Sequence, residues 1–197
     1  MAVKKDINIK NIPSSSRIKE EINRYKYRKK YSSLLHSTIF TLVTVAAFAV
    51  LVAMLWMPVL QIYGSSMAPT LDKDEIVISL KSSELKTGDV IAFYHGNKLL
   101  VKRCIAGPAD WVNIDQDGTV YVNGLAIDEP YINEKAFGTC DITLPFQVPE
   151  DKYFVMGDHR ATSVDSRTTT VGCIAEEEII GKIVFCIWPM ERVRIIH

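Results

Sequence analysis

The 197-residue chain carries 23 Lys plus Arg and 23 Asp plus Glu, so its formal net charge is zero, yet the charge is unevenly placed. Residues 1–36 hold ten basic and three acidic residues, a balance of +7, and residues 37–197 hold the compensating −7. A 48% apolar content and a run without charged residues between Lys30 and Asp72 exclude a disordered or collagen-like chain and a wholly soluble globule, and the acidic balance of the larger block argues against nucleic-acid binding.

Residues 1–36 read as a basic cytoplasmic tail, with Ser14-Ser15-Ser16 as a linker and Arg17 to Lys30 as a short polar helix at a membrane surface. Residues 37–60 follow as a transmembrane helix. The 22 residues from Ile39 to Leu60 include only Thr41 and Thr44 as polar side chains. At about 1.5 Å per residue they reach roughly 33 Å, enough for a ~30 Å hydrocarbon core. A cleavable secretory signal has a shorter apolar region and a shorter leader, so the segment is expected to stay in the mature protein. The cluster Arg28-Lys29-Lys30 just before it places the N-terminus in the cytoplasm and residues 61–197 outside.

Beyond the span, short β-branched and aromatic runs alternate with Gly, Asp and Asn breaks. Strands are predicted at Ile76–Leu80, Val90–Tyr94, Leu99–Ile105, Trp111–Ile114, Val120–Val122, Tyr153–Met156 and Ile180–Trp188. Asp117-Gly118 reads as the turn of a hairpin, because Gly supplies the positive φ such turns need. The fold class is therefore mostly β, an antiparallel-sheet domain preceded by one N-terminal helix, with residues from about 111 to 149 as a small irregular insertion. Cys104, Cys140, Cys173 and Cys186 permit disulfides, but their spacing matches no zinc pattern and three of them lie in apolar strands, which favours free thiols.

Three constellations can carry chemistry. Ser65 and Ser66 stand in Gly64-Ser65-Ser66-Met67-Ala68-Pro69-Thr70-Leu71. Six extended residues span at most about 20 Å, so these serines are tethered near the outer membrane surface. A serine nucleophile needs a base, and none of the four histidines stands in a charge-relay setting. Lys102-Arg103 lies inside a strand, where alternation sends the two charges to opposite faces. An inward Lys102 would lose its ammonium form to desolvation, and its neutral amine could take the Ser66 proton. The polar loop from Gly157 to Arg167 follows an apolar strand. In it, Asp158 or Asp165 paired with Arg160 or Arg167 would be scaffolding, and Ser163 is a candidate to hold the lysine amine.

These residues resemble bacterial type I signal peptidases, membrane-anchored serine proteases that remove signal peptides from exported proteins. The match runs through Ser66-Met67-Ala68-Pro69-Thr70-Leu71, Gly88-Asp89-Val90-Ile91-Ala92-Phe93, Lys102-Arg103-Cys104-Ile105 with Pro108 and Asp110, and Gly157-Asp158 with Ser163, Asp165, Ser166 and Arg167. The resemblance implies Ser66 as nucleophile, Lys102 as general base and Ser163 as the hydroxyl that orients it, with Asp165 and Arg167 as structural support. It implies backbone N–H groups around Gly64 and Ser66 for the oxyanion, where some members have a serine hydroxyl at the Gly64 position. It also implies preprotein substrates with small residues one and three positions before the cut, docked along a strand edge at the lipid bilayer, and no metal or cofactor. Ala106 and Ala109 stand where the family usually has Gly, and His159 where Asn is commoner. The competing readings are a self-cleaving Ser–Lys regulator and a non-catalytic membrane-bound β-domain that binds exported chains.

Overall fold

The computed structural model describes residues 14–81 and 85–196, so the first thirteen residues of the expected basic tail lie outside the described residues. The chain forms two compact units, residues 1–52 and 53–197. Helix α1 runs from Ser15 to Trp56 without interruption, so the expected linker and separate polar helix are instead its first turns. Its apolar part, with a mean hydropathy of 2.1 over the most apolar window, is fully exposed and long enough to cross a membrane. The hydroxyls of Thr38, Thr41 and Thr44 donate to the carbonyls four residues earlier at 2.8–2.9 Å, which removes the cost of these groups in an apolar medium.

The helix stops at Trp56, short of the expected Leu60, and Val59–Gln61 forms strand β1 instead. Pro58 explains the difference, since its ring cannot continue a helix and disfavours the α region for the residue before it. Hydropathy alone does not distinguish Val59 and Leu60 in a span from the same residues in a strand.

From there the chain is antiparallel β throughout its pairings. The strands are β2 (Ile76–Leu80), β3 (Val90–His95), β4 (Lys98–Ala106), β5 (Trp111–Ile114), β6 (Val120–Val122), β7 (Leu125–Ala126), β8 (Phe146–Gln147), β9 (Lys152–Met156), β10 (Ile174–Ala175), β11 (Ile179–Trp188) and β12 (Arg194–Ile195). The main sheet has the order β1-β2-β11-β3-β4-β9-β10, with β12 on β11, and a smaller sheet has the order β7-β6-β5-β8. The smaller sheet occupies the region expected to be an irregular insertion. Val112, Ile114 and Val120 from it share a buried cluster with Ile105, Ala106, Phe154 and Met156 of the main sheet.

A second cluster, Ile62, Met67, Leu71, Val77, Val90, Ala92 and Ile183, packs Val101 of β4 against the segment after β1. Strand β4 therefore touches both clusters, and it runs from exposed at Lys98 to fully buried at Ala106. Its hairpin partner β3 covers one edge from Lys98 to Arg103. Strand β9 covers the other edge only from Arg103 onward.

Two Ala-for-Gly departures behave differently. Ala106 is buried in the cluster between the sheets. Ala109, in contrast, has φ +65°, and the Asp110 N–H donates to the Gly107 carbonyl across Pro108-Ala109. With Pro second and a positive φ third, this is a type II turn, whose third position favours Gly. A left-handed L-residue costs about 1–2 kcal/mol, and Gly returns about 0.5–1 of that as unfolded-state entropy. Ala109→Gly should therefore raise the melting temperature by about 2 °C, as read by thermal unfolding. A lower value would contradict this account of the turn.

Candidate active site

The segment after β1 and the N-terminal half of β4 enclose a cavity of about 500 Å3 lined by Gln61, Ile62, Tyr63, Gly64, Ser66 and Met67 on one wall and Lys98 to Lys102 on the other. Of the two adjacent serines, Ser66 lines this cavity and is half-buried, whereas Ser65 is exposed. The segment from Ser65 to Leu71 is a tight turn, in which the Ala68 N–H donates to the Ser65 carbonyl at 3.1 Å and the Leu71 N–H to the Met67 carbonyl at 2.8 Å. Met67 and Leu71 anchor that turn in the core.

Lys102 lines the same cavity and is only 3% exposed. Its Nζ donates to Ser163 Oγ at 2.8 Å. Burial lowers its pKa from the ordinary lysine value of 10.5, and the opposing attraction of Asp165 is weaker. Asp165 itself accepts two hydrogen bonds from Arg167, from Nε at 2.8 Å and Nη2 at 2.9 Å, and one from the Gly157 N–H at 2.9 Å. Its charge is thus committed to Arg167 and to the loop backbone, and the lysine is left with a neutral hydroxyl partner.

Arg103 points to the other face of β4, as alternation requires, and at 1% exposure is as buried as its neighbour. Both of the opposite faces expected from alternation are covered here, because loops close over each at this end of the strand. Arg103 makes a bidentate pair with Asp158 at 2.8 and 2.9 Å, bonds the Gly88 carbonyl at 2.6 Å and lies 3.8 Å over the Tyr131 ring. Asp158 also accepts from Thr70 Oγ1 at 2.5 Å, which ties the Ser65–Leu71 turn to the Gly157–Arg167 loop. Of the pairs expected as scaffolding, Asp165 with Arg167 is present, whereas Asp158 takes neither Arg160 nor Arg167. Asp158 holds Arg103, Asp165 holds Arg167, and Arg160 is paired to Glu129 of the smaller-sheet region.

Arg167 reaches that region too, donating to the Phe137 carbonyl at 2.8 Å. Thr70, Glu129 and Tyr131 escaped the sequence reading. Thr70 stood within a quoted motif, whereas Glu129 and Tyr131 lie in a segment with no local pattern. At the His-for-Asn position, the backbone N–H of His159 donates to the Ser66 carbonyl at 3.0 Å, a bond open to any residue but Pro, and its exposed ring sits 2.8 Å from Thr162 Oγ1. The Ser66 N–H has no protein acceptor among the described residues. Gly64 is exposed on the cavity wall.

All four cysteines are free thiols. Burial pushes the Cys104 thiol up to about 12 and that of Cys173 up to about 11, which makes both poor nucleophiles. No group of three or more metal-ligating side chains occurs among the described residues.

Residues 35–188 match the family model described as signal peptidase, peptidase S26. The chain belongs to this family. Signal peptidase I T of Bacillus subtilis (strain 168) is 38% identical over 144 residues, covering 66% of this chain and 74% of that one. Signal peptidase IB of Staphylococcus aureus is 41% identical over 152 residues, covering 66% and 78% respectively. Signal peptidase I of Bacillus licheniformis is 34% identical over 182 residues, covering 86% and 96%. Among solved structures, a signal peptidase I from Enterococcus faecalis V583 aligns with 51% of this chain and 97% of its own at 28% identity and a TM-score of 0.43. As a peptidase S26 signal peptidase the chain is a serine peptidase, which sets aside the non-catalytic reading.

The loop geometry exposes one point where this peptidase has no room. A Cβ on Gly157 would lie 2.1 Å from Ser163 Oγ and 2.6 Å from the Ser66 carbonyl oxygen. Gly157→Ala should therefore displace both segments at once, lowering kcat about 100-fold and stability by about 1–3 kcal/mol. Peptide-cleavage kinetics and thermal unfolding check this, and unchanged kcat would mean the two segments do not depend on that contact.

Proposed function

We propose that the protein is a membrane-anchored signal peptidase in which Ser66 is the nucleophile and Lys102 the general base. The observation that carries this reading is the shared cavity, with a half-buried serine on one wall and, on the other, a buried lysine whose amine donates to a hydroxyl. A desolvated neutral amine is a competent base near neutral pH, whereas an exposed ammonium is not.

In this reading Ser66 Oγ attacks the carbonyl at the signal-peptide junction while Lys102 Nζ accepts its proton. Lys102 then protonates the departing amine, and water hydrolyses the acyl-enzyme through the same base. The free Ser66 N–H is a donor for the oxyanion, helped by the backbone around Gly64. Ser163 fixes the lysine rotamer, and the Asp165–Arg167 pair fixes the loop that carries Ser163.

Substrate docking uses edges that the sheet leaves open. Residues Lys98 to Val101 have no strand partner on the side away from β3, and β1 is paired on one side only. An extended peptide between these edges gains main-chain hydrogen bonds, and Ile62, Met67 and Val101 offer shallow apolar pockets for small side chains before the cut. Helix α1 serves as the single membrane anchor, with the basic N-terminus in the cytoplasm and the β domain outside. Anchoring enzyme and signal peptide in one bilayer raises their effective concentration.

With the full-length protein in detergent and a synthetic preprotein, Ser66→Ala and Lys102→Ala should each lower kcat at least about 1,000-fold. Turnover close to wild type by either variant refutes the dyad. The neutral amine is the active form, so kcat/KM should rise with pH and level off below the ordinary lysine value of 10.5. A profile still climbing above that value would show that Lys102 is not desolvated during turnover.

A further inference from the structure

We infer that Lys98 is a specificity residue that selects for an acidic and against a basic side chain about five residues before the scissile bond. The inference rests on the peptidase reading above and adds a determinant to it. The cavity has a direction, because β9 closes the β4 edge from Arg103 onward and leaves it open from Lys102 back to Lys98. The apolar pockets for residues before the cut lie along this open stretch, so the signal-peptide side of the substrate occupies it.

Strand geometry then sets the distance. Four residues separate Lys102 from Lys98, about 13 Å at a strand rise of ~3.3 Å per residue. A substrate strand paired to this edge advances at the same rate. With its scissile residue beside Lys102, the residue four positions earlier lies beside Lys98.

The charge at that end is uncompensated. The charged side chains lining the cavity are Lys98 and Lys102, and no carboxylate lines it. Lys98 is exposed and forms no ion pair among the described residues. Its cross-strand partner is His95, whose ring bonds the Thr170 carbonyl at 3.0 Å and supplies no negative charge. On the opposite wall Gln61 accepts from the Tyr63 hydroxyl at 3.1 Å and brings no charge. A glutamate brought to this rim meets an unpaired ammonium, and a lysine meets like charge.

The experiment uses the full-length protein in neutral detergent with three synthetic substrates that differ only in Glu, Gln or Lys at the fifth residue before the cut. An exposed pair of this kind supports about a 10-fold spread in kcat/KM between Glu and Lys at low salt, shrinking as salt is raised. The expected order for wild type is Glu, Gln, Lys. Lys98→Glu should reverse it and Lys98→Gln should flatten it, each read as the ratio of kcat/KM between substrates within that variant. An unchanged order in both variants, or equal slowing on all three substrates, overturns the role of Lys98. If Lys98→Glu fails to fold, Lys98→Gln decides alone: loss of discrimination supports the inference and retention overturns it. No cleavage of any substrate by wild type overturns the peptidase reading, and the inference falls with it.

Discussion

Two basic residues stand side by side in strand β4, both almost wholly out of water, and the fold treats them in opposite ways. Arginine keeps its charge under any accessible condition, so burying Arg103 demands a carboxylate, and Asp158 meets it with two hydrogen bonds. Lysine has an escape that arginine lacks, because desolvation can drive off its proton. Lys102 is given the Ser163 hydroxyl, while Asp165, the carboxylate that attracts it most strongly, is held by Arg167. Had Asp165 been free to pair with Lys102, the attraction would have restored the ammonium and removed the base on which the proposed chemistry depends.

That division of charge explains why three buried Arg–carboxylate pairs cluster around one loop. Each pair gains little net stability, since both partners lose their hydration, but removing one member strands a buried charge at a cost of about 3–5 kcal/mol. The pairs therefore act as constraints on geometry. Asp158 with Arg103 and Thr70 fixes the loop to β4 and to the serine-bearing turn. Glu129 with Arg160, and the Phe137 carbonyl with Arg167, fix the smaller-sheet region to the same loop. What looks in the sequence like an irregular excursion is a buttress, and the tight fit at Gly157 leaves the loop no slack.

The sheet topology supplies the other half of the site. Strand β9 covers only the C-terminal part of β4, so one strand has a buried end that holds the amine and an open edge that can receive a peptide. Exposed sheet edges are ordinarily a liability. Here the open edge faces a cavity whose opposite wall carries Ser66, and it is there that the proposed reading seats an extended chain.

Local patterning was enough for much of this. Seven of the strands, the Asp117-Gly118 hairpin and the apolar run follow from period, turn chemistry and length, which act over a few residues and are written in adjacent positions, whereas the short β1, β7, β8, β10 and β12 carry no such signal. Ser66, Lys102 and Ser163 come instead from motifs that resemble those of a family, in the same order, and the structure brings Ser66 and Lys102 to one cavity and Ser163 Oγ to 2.8 Å from Lys102 Nζ. Tertiary structure alone decided that both faces of β4 at Lys102-Arg103 are buried, that Asp158 serves Arg103, and that Glu129, without a local signal, receives Arg160. It also decided that Val59 and Leu60 leave the helix for a strand, although Pro58 marked the place. The physical reason is common to all of them: alternation tells which way a side chain points, but what covers it comes from segments tens of residues away, and a buried charge takes whichever partner the packing brings within reach.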